Sequence, residues 1–139
     1  MAKPSIEDRL AIEDLFVRYT TALDEGDVEG VVDCFTEDGW LDSPIIGRRE
    51  GRASLRAFAV EIAERRRNGA QFRHFISNFR FDVSGDRGRA RCYLLDYATV
   101  AGITTLLSPG EYDCELKKVG GEWLFASRLV RMDKPFTIP

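Results

Sequence analysis

Residues 69–83 read GAQFRHFISNFRFDV, and the apolar pattern of the chain changes its period in this stretch. Before Gly69 the apolar residues recur at the roughly 3.6-residue spacing of helices, and after it they alternate at about every second residue, as in strands. The alternation around Phe75, Phe79 and Phe81 predicts a strand over 72–83. The chain therefore divides into a helical first part and a stranded second part.

Three helices are predicted before this change. The first covers 6–25, with Ser5 as its N-cap and Gly26 as its C-cap. A short second helix follows Asp27, which can cap it, and includes Phe35 in its apolar face. The third carries apolar residues at helical spacing over 53–63 and ends near 68–69.

The strands predict an α+β domain. One short strand is expected at 36–42, and four long ones at 72–83, 89–100, 104–119 and 122–132. Because helices come first and a meander of strands comes second, we expect three N-terminal helices packed on a curved, mostly antiparallel sheet. No linker or repeat interrupts the chain, so a single domain over 1–139 is expected, with a pocket on the concave side of the sheet.

Composition excludes several classes of protein. The 139 residues carry a net charge of −3, with 44% hydrophobic and 31% charged residues, so neither disorder nor nucleic-acid binding is expected. No apolar run reaches the ~18 residues of a membrane span, and no signal peptide is recognisable, so a cytoplasmic protein is expected. Three scattered cysteines and a single histidine predict neither disulfides nor a metal site.

Charge is distributed unevenly along the chain. Residues 1–38 hold three basic and eleven acidic side chains, whereas residues 48–67 hold seven arginines and three glutamates. Such asymmetry either steers an anionic ligand, joins two subunits or forms two solvated faces.

His74 and Asp24 are the first pair that could carry chemistry. Alternation places His74, Ile76 and Asn78 on one face of the predicted strand, and Phe75, Ser77 and Phe79 on the other. Asp24 falls at the end of the first helix, where a negative charge opposes the helix dipole and needs a compensating partner. An ionised carboxylate beside a histidine would make a base poised near neutral pH.

Three further polar residues are candidates. Tyr19 shares the apolar stripe of the first helix, and Asp96 interrupts the otherwise apolar CYLLDYATV strand. Arg128 and Arg131 alternate on the last strand, and either could neutralise Asp96, hold an oxyanion or lie on the sheet surface. Trp40, Tyr97 and Tyr112 could line the pocket, although most aromatic residues in such strands belong to the core.

Four stretches of the chain follow one another in a characteristic order: the helix–helix–strand opening IEDLFVRYTTALDEGDVEGVVDCFTEDGWLDS, then RHFISNFRFDV, YLLDYATV and GGEWLFASRLVRMD. In these stretches the chain resembles the SnoaL-like branch of the nuclear-transport-factor-2-like superfamily. The resemblance implies a cone-shaped α+β barrel and a dimer or trimer. Its fold hosts dehydratases, isomerases, cyclases and non-catalytic subunits, so the function must come from the site.

The resemblance to scytalone dehydratase-like and bile acid dehydratase-like enzymes of this superfamily implies which residues form the active site. Their aspartate at the end of the first helix and their histidine in the first long strand are matched by Asp24 and His74. Tyr19 and Asp96 resemble a tyrosine and a second aspartate of the bile acid branch, and Arg128 resembles a strand arginine of the dehydrochlorinase branch. Scytalone dehydratase has a second catalytic histidine, which this chain lacks.

The resemblance implies a lyase that needs no cofactor. Asp24 would orient His74, which would remove a proton beside a carbonyl or a leaving group, and Tyr19 or Arg128 would stabilise the developing oxyanion. The substrate would be a small apolar cyclic molecule of the steroid, terpenoid or polyketide class. Two alternatives remain open: an isomerase or cyclase in which Asp96 shuttles the proton with Tyr19 as oxyanion donor, and a non-catalytic module like the small subunits of ring-hydroxylating dioxygenases.

Overall fold

The computed structural model describes residues 2–139, in which three helices precede most of a six-stranded sheet. The helices are α1 (Ile6–Glu25), α2 (Val28–Val32) and α3 (Arg52–Arg67), and the strands are β1 (Phe35–Ser43), β2 (Gly47–Glu50), β3 (Gln71–Ser84), β4 (Arg87–Val100), β5 (Ile103–Val119) and β6 (Glu122–Met132). The predicted α+β class is confirmed. None of these helices is long and apolar enough to cross a membrane.

The caps predicted for the first two helices are present. The Ser5 side chain accepts a hydrogen bond from the Asp8 amide, and the Asp27 side chain accepts one from the Gly30 amide. Gly26 ends α1 with a φ of 75°, a left-handed conformation that glycine adopts without steric cost. Asp24 belongs to the last turn of α1, so the helical backbone sets the direction of its side chain.

The sheet has the strand order β2-β1-β6-β5-β4-β3. The β1–β6 pair is parallel and the other pairs are antiparallel. The sheet curves around the helices without closing, because β2 and β3 are its free edges. Strand β2 was not predicted, since GRRE lacks apolar alternation, and Phe35 begins β1 instead of extending α2.

A β-bulge in β3 corrects the predicted faces of this strand. Pairing with β4 shifts register between Ser77 and Arg80, and Asn78 adopts a φ of 59°. The extra residue reverses the alternation. Phe79 therefore lies on the same side of the sheet as His74, whereas Phe75, predicted to share a face with Phe79, is 60% exposed on the outer side.

Much of the uneven charge is paired within the chain. Arginines of α3 reach acidic residues of α1, α2 and the turn that follows α2. The pairs are Arg56 with Glu29, Arg52 with Asp33 and Arg66 with Glu25. These exposed pairs each contribute little to stability, but they explain the opposite charges without an anionic ligand.

Candidate active site

An apolar cavity lies between the helices and the concave face of the sheet. Its volume is about 60 Å³, within about 540 Å³ of atom-free space that includes its open mouth. Most of its lining is aliphatic or phenylalanine. The polar residues in the lining are Tyr19, Ser43, His74, Asp96 and Tyr112.

Asp24 holds His74 at two points. Its Oδ1 lies 2.6 Å from Nδ1 of His74, and its Oδ2 accepts a 2.9 Å hydrogen bond from the His74 backbone amide. Both side chains are 8% exposed. With the carboxylate as acceptor, Nδ1 is the donor in this contact, and Nε2 is directed toward Asp96. The C-terminal end of α1 and the start of β3 thus position one oriented imidazole.

Asp96 lies on the other side of the same imidazole. Its Oδ1 is 3.4 Å from Nε2 of His74, and β3–β4 pairing places the two residues directly opposite each other. Burial raises the pKa of the Asp96 carboxyl above its usual range, although the charge of His74 opposes this rise. Burial alone would lower the pKa of His74, but the hydrogen bond to Asp24 and the charge of Asp96 raise it. Neighbouring titratable groups with pKa values shifted by burial and by each other's charge are typical of acid–base sites.

Arg128 lies behind two tyrosines of the cavity wall. Its side chain is fully buried, and its guanidinium carbon lies 3.6 Å from the ring centre of Tyr112 and 4.1 Å from that of Tyr19. Phe125 and Phe16 complete the aromatic surround at 4.5 and 5.0 Å. Burial raises the pKa of both tyrosines, and the charge of Arg128 opposes that rise.

The position of Arg128 narrows the roles expected for it. Among the described residues it forms no ion pair, and its Nε and Nη2 have no hydrogen-bond partner, while Nη1 lies 3.3 Å from Sγ of Cys114. Arg128 therefore neither neutralises Asp96 nor lies on the sheet surface. It is a buried cation that packs against Tyr19 and Tyr112, two residues of the cavity lining. Arg131 points outward, as the alternation predicted.

Two aromatic residues expected in the pocket lie elsewhere. Trp40 stacks under the guanidinium of Arg48 at 4.0 Å, and Tyr97 packs against Phe75 with ring centres 5.6 Å apart. Neither belongs to the cavity lining, which corrects the expectation for both. The period-2 alternation of β4 explains Tyr97, because Asp96 faces the cavity and its neighbour must face outward.

Sequence reasoning missed part of the wall. Ile45 and Ile46 come from the β1–β2 turn, and Phe136 and Ile138 come from the segment after β6. The signal for the latter pair is the alternation in PFTIP, where Thr137 is exposed between two half-buried apolar residues.

The remaining reactive residue types do not add a second site. The three cysteines are buried and free, and burial raises the pKa of Cys34 to about 11, of Cys92 to about 12 and of Cys114 to about 11. They remain thiols at neutral pH, which argues against a thiolate nucleophile. Within residues 2–139 no group of three or more His, Cys, Asp or Glu side chains is arranged to hold a metal ion.

Comparison with known proteins gives relatives without an assigned activity. An uncharacterised protein of Mycobacterium tuberculosis strain H37Rv is 28% identical over 98 residues. The match covers 70% of this chain and 65% of that protein, so the chain spans less than two thirds of the length of the curated relative.

Solved structures share the whole architecture. A Mycobacterium tuberculosis protein of unknown function superposes with a TM-score of 0.85 at 29% identity, covering 94% of this chain and 79% of that one. A Novosphingobium aromaticivorans protein provisionally described as an aromatic ring hydroxylase superposes with a TM-score of 0.82 at 27% identity, covering 96% of this chain and 94% of that one. An NTF2-like protein with a cystatin-like fold, also from Novosphingobium aromaticivorans, superposes with a TM-score of 0.82 at 23% identity, covering 94% of this chain and 85% of that one.

The family follows from the sequence match and agrees with the fold. The family model of the SnoaL-like domain matches residues 4–129. These residues run from the position before the N-cap of α1 into β6 and include all five polar residues of the cavity lining. The chain therefore belongs to the family of SnoaL-like domains.

Proposed function

We propose that the protein is a cofactor-independent lyase of the dehydratase type. The observation that carries the proposal is the imidazole of His74, held by Asp24 on Nδ1 and facing Asp96 with Nε2 at the wall of an apolar cavity. An elimination needs a base that removes a proton and an acid that protonates the leaving group. His74 is an oriented base, and Asp96, 3.4 Å away, is an acid with a raised pKa.

The proposed reaction removes water from a hydroxylated ring. Nε2 of His74 takes the proton from the carbon beside a carbonyl, and Asp24 stabilises the resulting imidazolium. Asp96 in its protonated form gives its proton to the departing hydroxyl, so that water leaves and a carbon–carbon double bond forms. The proton on Nε2 then returns to Asp96 across 3.4 Å, which restores both groups.

Tyr19 and Tyr112 are proposed to stabilise the enolate oxygen. Both line the cavity and both contact the buried guanidinium of Arg128. A cation behind a phenol makes its hydroxyl a better hydrogen-bond donor to a developing negative charge, and such preorganised donors are a major source of rate enhancement.

The cavity lining supports a small apolar cyclic substrate of the steroid, terpenoid or polyketide class. Aliphatic and phenylalanine side chains surround the five polar residues, so rings can be buried while one carbonyl and one hydroxyl are bound. Within the described part of the chain, no charged group of the lining other than His74 and Asp96 is available for a strongly ionic substrate.

A panel of cyclic ketones with one to four rings tests the proposal. Uptake of deuterium beside the carbonyl reports proton removal, and ketones with a β-hydroxyl report loss of water through the absorbance of the enone. We expect the wild type to exceed His74→Ala by about 10²–10⁴-fold. Ser77→Ala, an exposed change on the same strand, should match the wild type. Equal rates for wild type and His74→Ala on every bound ketone would instead favour a non-catalytic module.

An isomerase is the second candidate, and the raised pKa of Asp96 favours it. Asp96 would then shuttle a proton between two carbons while Tyr19 donates to the oxyanion. Asp96→Asn would abolish deuterium uptake while His74→Ala retained most of it. In the lyase, His74→Ala is the variant that loses most of the rate.

We further propose that the protein self-associates through the outer face of the sheet. Phe75, Tyr93 and Leu95 are 60%, 58% and 38% exposed on neighbouring strands there. Contiguous exposed apolar surface of this kind marks an interaction site. Arg91 and Glu111 flank Tyr93, so a second copy related by a two-fold axis can oppose these unlike charges.

A further inference from the structure

The segment that follows β6 forms one wall of the cavity. Phe136 and Ile138 line the cavity, whereas Thr137 between them is exposed. His74 and Asp96 of the sheet wall line the same cavity. A ligand that fills the cavity must therefore contact this segment.

Few hydrogen bonds hold the segment in place. At its start, the Asp133 amide donates to the Pro109 carbonyl at 3.0 Å and the Lys134 amide donates to Oγ of Ser108 at 3.1 Å. At its end, Nη1 of Arg65 on α3 donates to the Ile138 carbonyl at 3.0 Å. Among the described residues, 135–137 make no hydrogen bond to the rest of the chain.

This pattern of attachment allows local opening. The first two contacts lie beside β6 and form a fixed hinge, whereas the far end depends on one exposed arginine and two apolar side chains. Segments with few hydrogen bonds and little buried surface open at a small fraction of the global unfolding free energy. Opening about the hinge would uncover the cavity without disturbing the sheet.

We propose that residues 133–138 form a strap that opens to admit the ligand, with Arg65 as its latch and Phe136 as the residue that limits ligand size. The proposal rests on ligand binding in the cavity of the proposed function, but not on its chemistry. Arg65 is a positioning residue, since it contacts the Ile138 carbonyl and does not belong to the cavity lining.

Two fluorescent probes test the size limit: 2-naphthol, with two fused rings, and 1-hydroxypyrene, with four. Phe136→Ala should raise the affinity for 1-hydroxypyrene relative to 2-naphthol by about tenfold or more, because it removes a ring from an apolar pocket. Thr137→Ala, an exposed change in the same segment, should leave the ratio at the wild-type value. Equal ratios in the two variants would overturn the role of Phe136.

Backbone ¹⁵N relaxation tests the latch without any ligand. Arg65→Ala should lower the order parameters of the Phe136, Thr137 and Ile138 amides, because the Ile138 carbonyl loses its hydrogen bond, while Arg67→Ala on the same helix should not change them. Equal order parameters in the two variants would overturn the strap. If the probes bind and the order parameters respond as expected but His74→Ala does not affect deuterium uptake, the strap stands and the lyase fails.

Discussion

Asp96 and Asp24 approach the imidazole of His74 from opposite sides. Oδ1 of Asp24 lies 2.6 Å from Nδ1, and Oδ1 of Asp96 lies 3.4 Å from Nε2. The contact with Asp24 is short and reinforced by the backbone amide, so it sets the ring orientation. The contact with Asp96 is longer and faces the cavity, so it is the one a substrate can displace.

The pKa of His74 should depend on Asp24. As the only histidine, His74 gives an imidazole NMR signal that needs no assignment. We expect its pKa to lie above the reference of about 6.5 in the wild type and to fall in Asp24→Asn, since the amide cannot stabilise the imidazolium. Asp14→Asn, an exposed change on the same helix, is the control. An unchanged value in Asp24→Asn would exclude an ionised partner.

Stability should fall as the pH rises above about 6.5. The folded-state pKa of His74 is raised, so its contribution is fully present below the unfolded value of about 6.5 and is lost as the pH rises through the folded pKa. Burial also raises the pKa of Asp96, which acts in the same direction. Urea unfolding of wild type and His74→Gln across this pH range should show the steeper decline in the wild type. Parallel declines in the two proteins would contradict a raised pKa of His74.

The sequence predicted most of the fold because its signals are local. Caps at Ser5 and Gly26 and the change of period at Gly69 depend on neighbouring residues alone. The bulge at Asn78 was missed because no apolar residue marks it, and one extra residue reverses every later face of β3. Strand β2 was missed because β1 pairing, not its own pattern, stabilises it.

The site was predictable where chain position decides the contact. Asp24 and His74 meet because a helix end is docked on a strand start. The contact of Asp96 with His74 was not predicted, because it depends on the register of β4 on β3, which the apolar pattern does not specify. The buried state of Arg128 could not be foreseen, because only the folded chain assembles the rings around it. The strap residues were missed because they reach the cavity through a turn rather than through a regular element.

Asn78→Val should destabilise the protein. Asn78 has a φ of 59°, which a β-branched residue adopts at a cost of about 1–2 kcal/mol. Asn78→Gly should be nearly neutral, because glycine accepts this conformation. Ser77→Val is the matched control: it removes the same 2.8 Å hydrogen bond between Ser77 and Asn78 but keeps ordinary strand geometry. Equal unfolding free energies for Asn78→Val and Asn78→Gly would contradict the strained bulge.

Arg128→Met should separate function from stability. The buried guanidinium has two unpaired nitrogens, so an apolar side chain of similar length should leave the free energy of unfolding unchanged or higher. Deuterium uptake by the ketone panel should nevertheless fall by about tenfold or more, since Tyr19 and Tyr112 lose the neighbouring cation. The exposed Arg131→Met should not affect uptake. A large loss of stability in Arg128→Met would show instead that the cation is structural.

Tyr93→Arg should dissociate the protein into monomers. Tyr93 is 58% exposed at the centre of the apolar outer face, and a buried unpaired charge in an interface is costly. Val60→Arg, a change at an exposed apolar residue of α3, should leave the sedimentation coefficient unchanged.

Reversing the charges of Arg91 and Glu111 tests the two-fold arrangement. Arg91→Glu should weaken the oligomer, and adding Glu111→Arg should restore it, because the unlike charges again face each other. A monomeric wild type, or no rescue in the double variant, would exclude this interface.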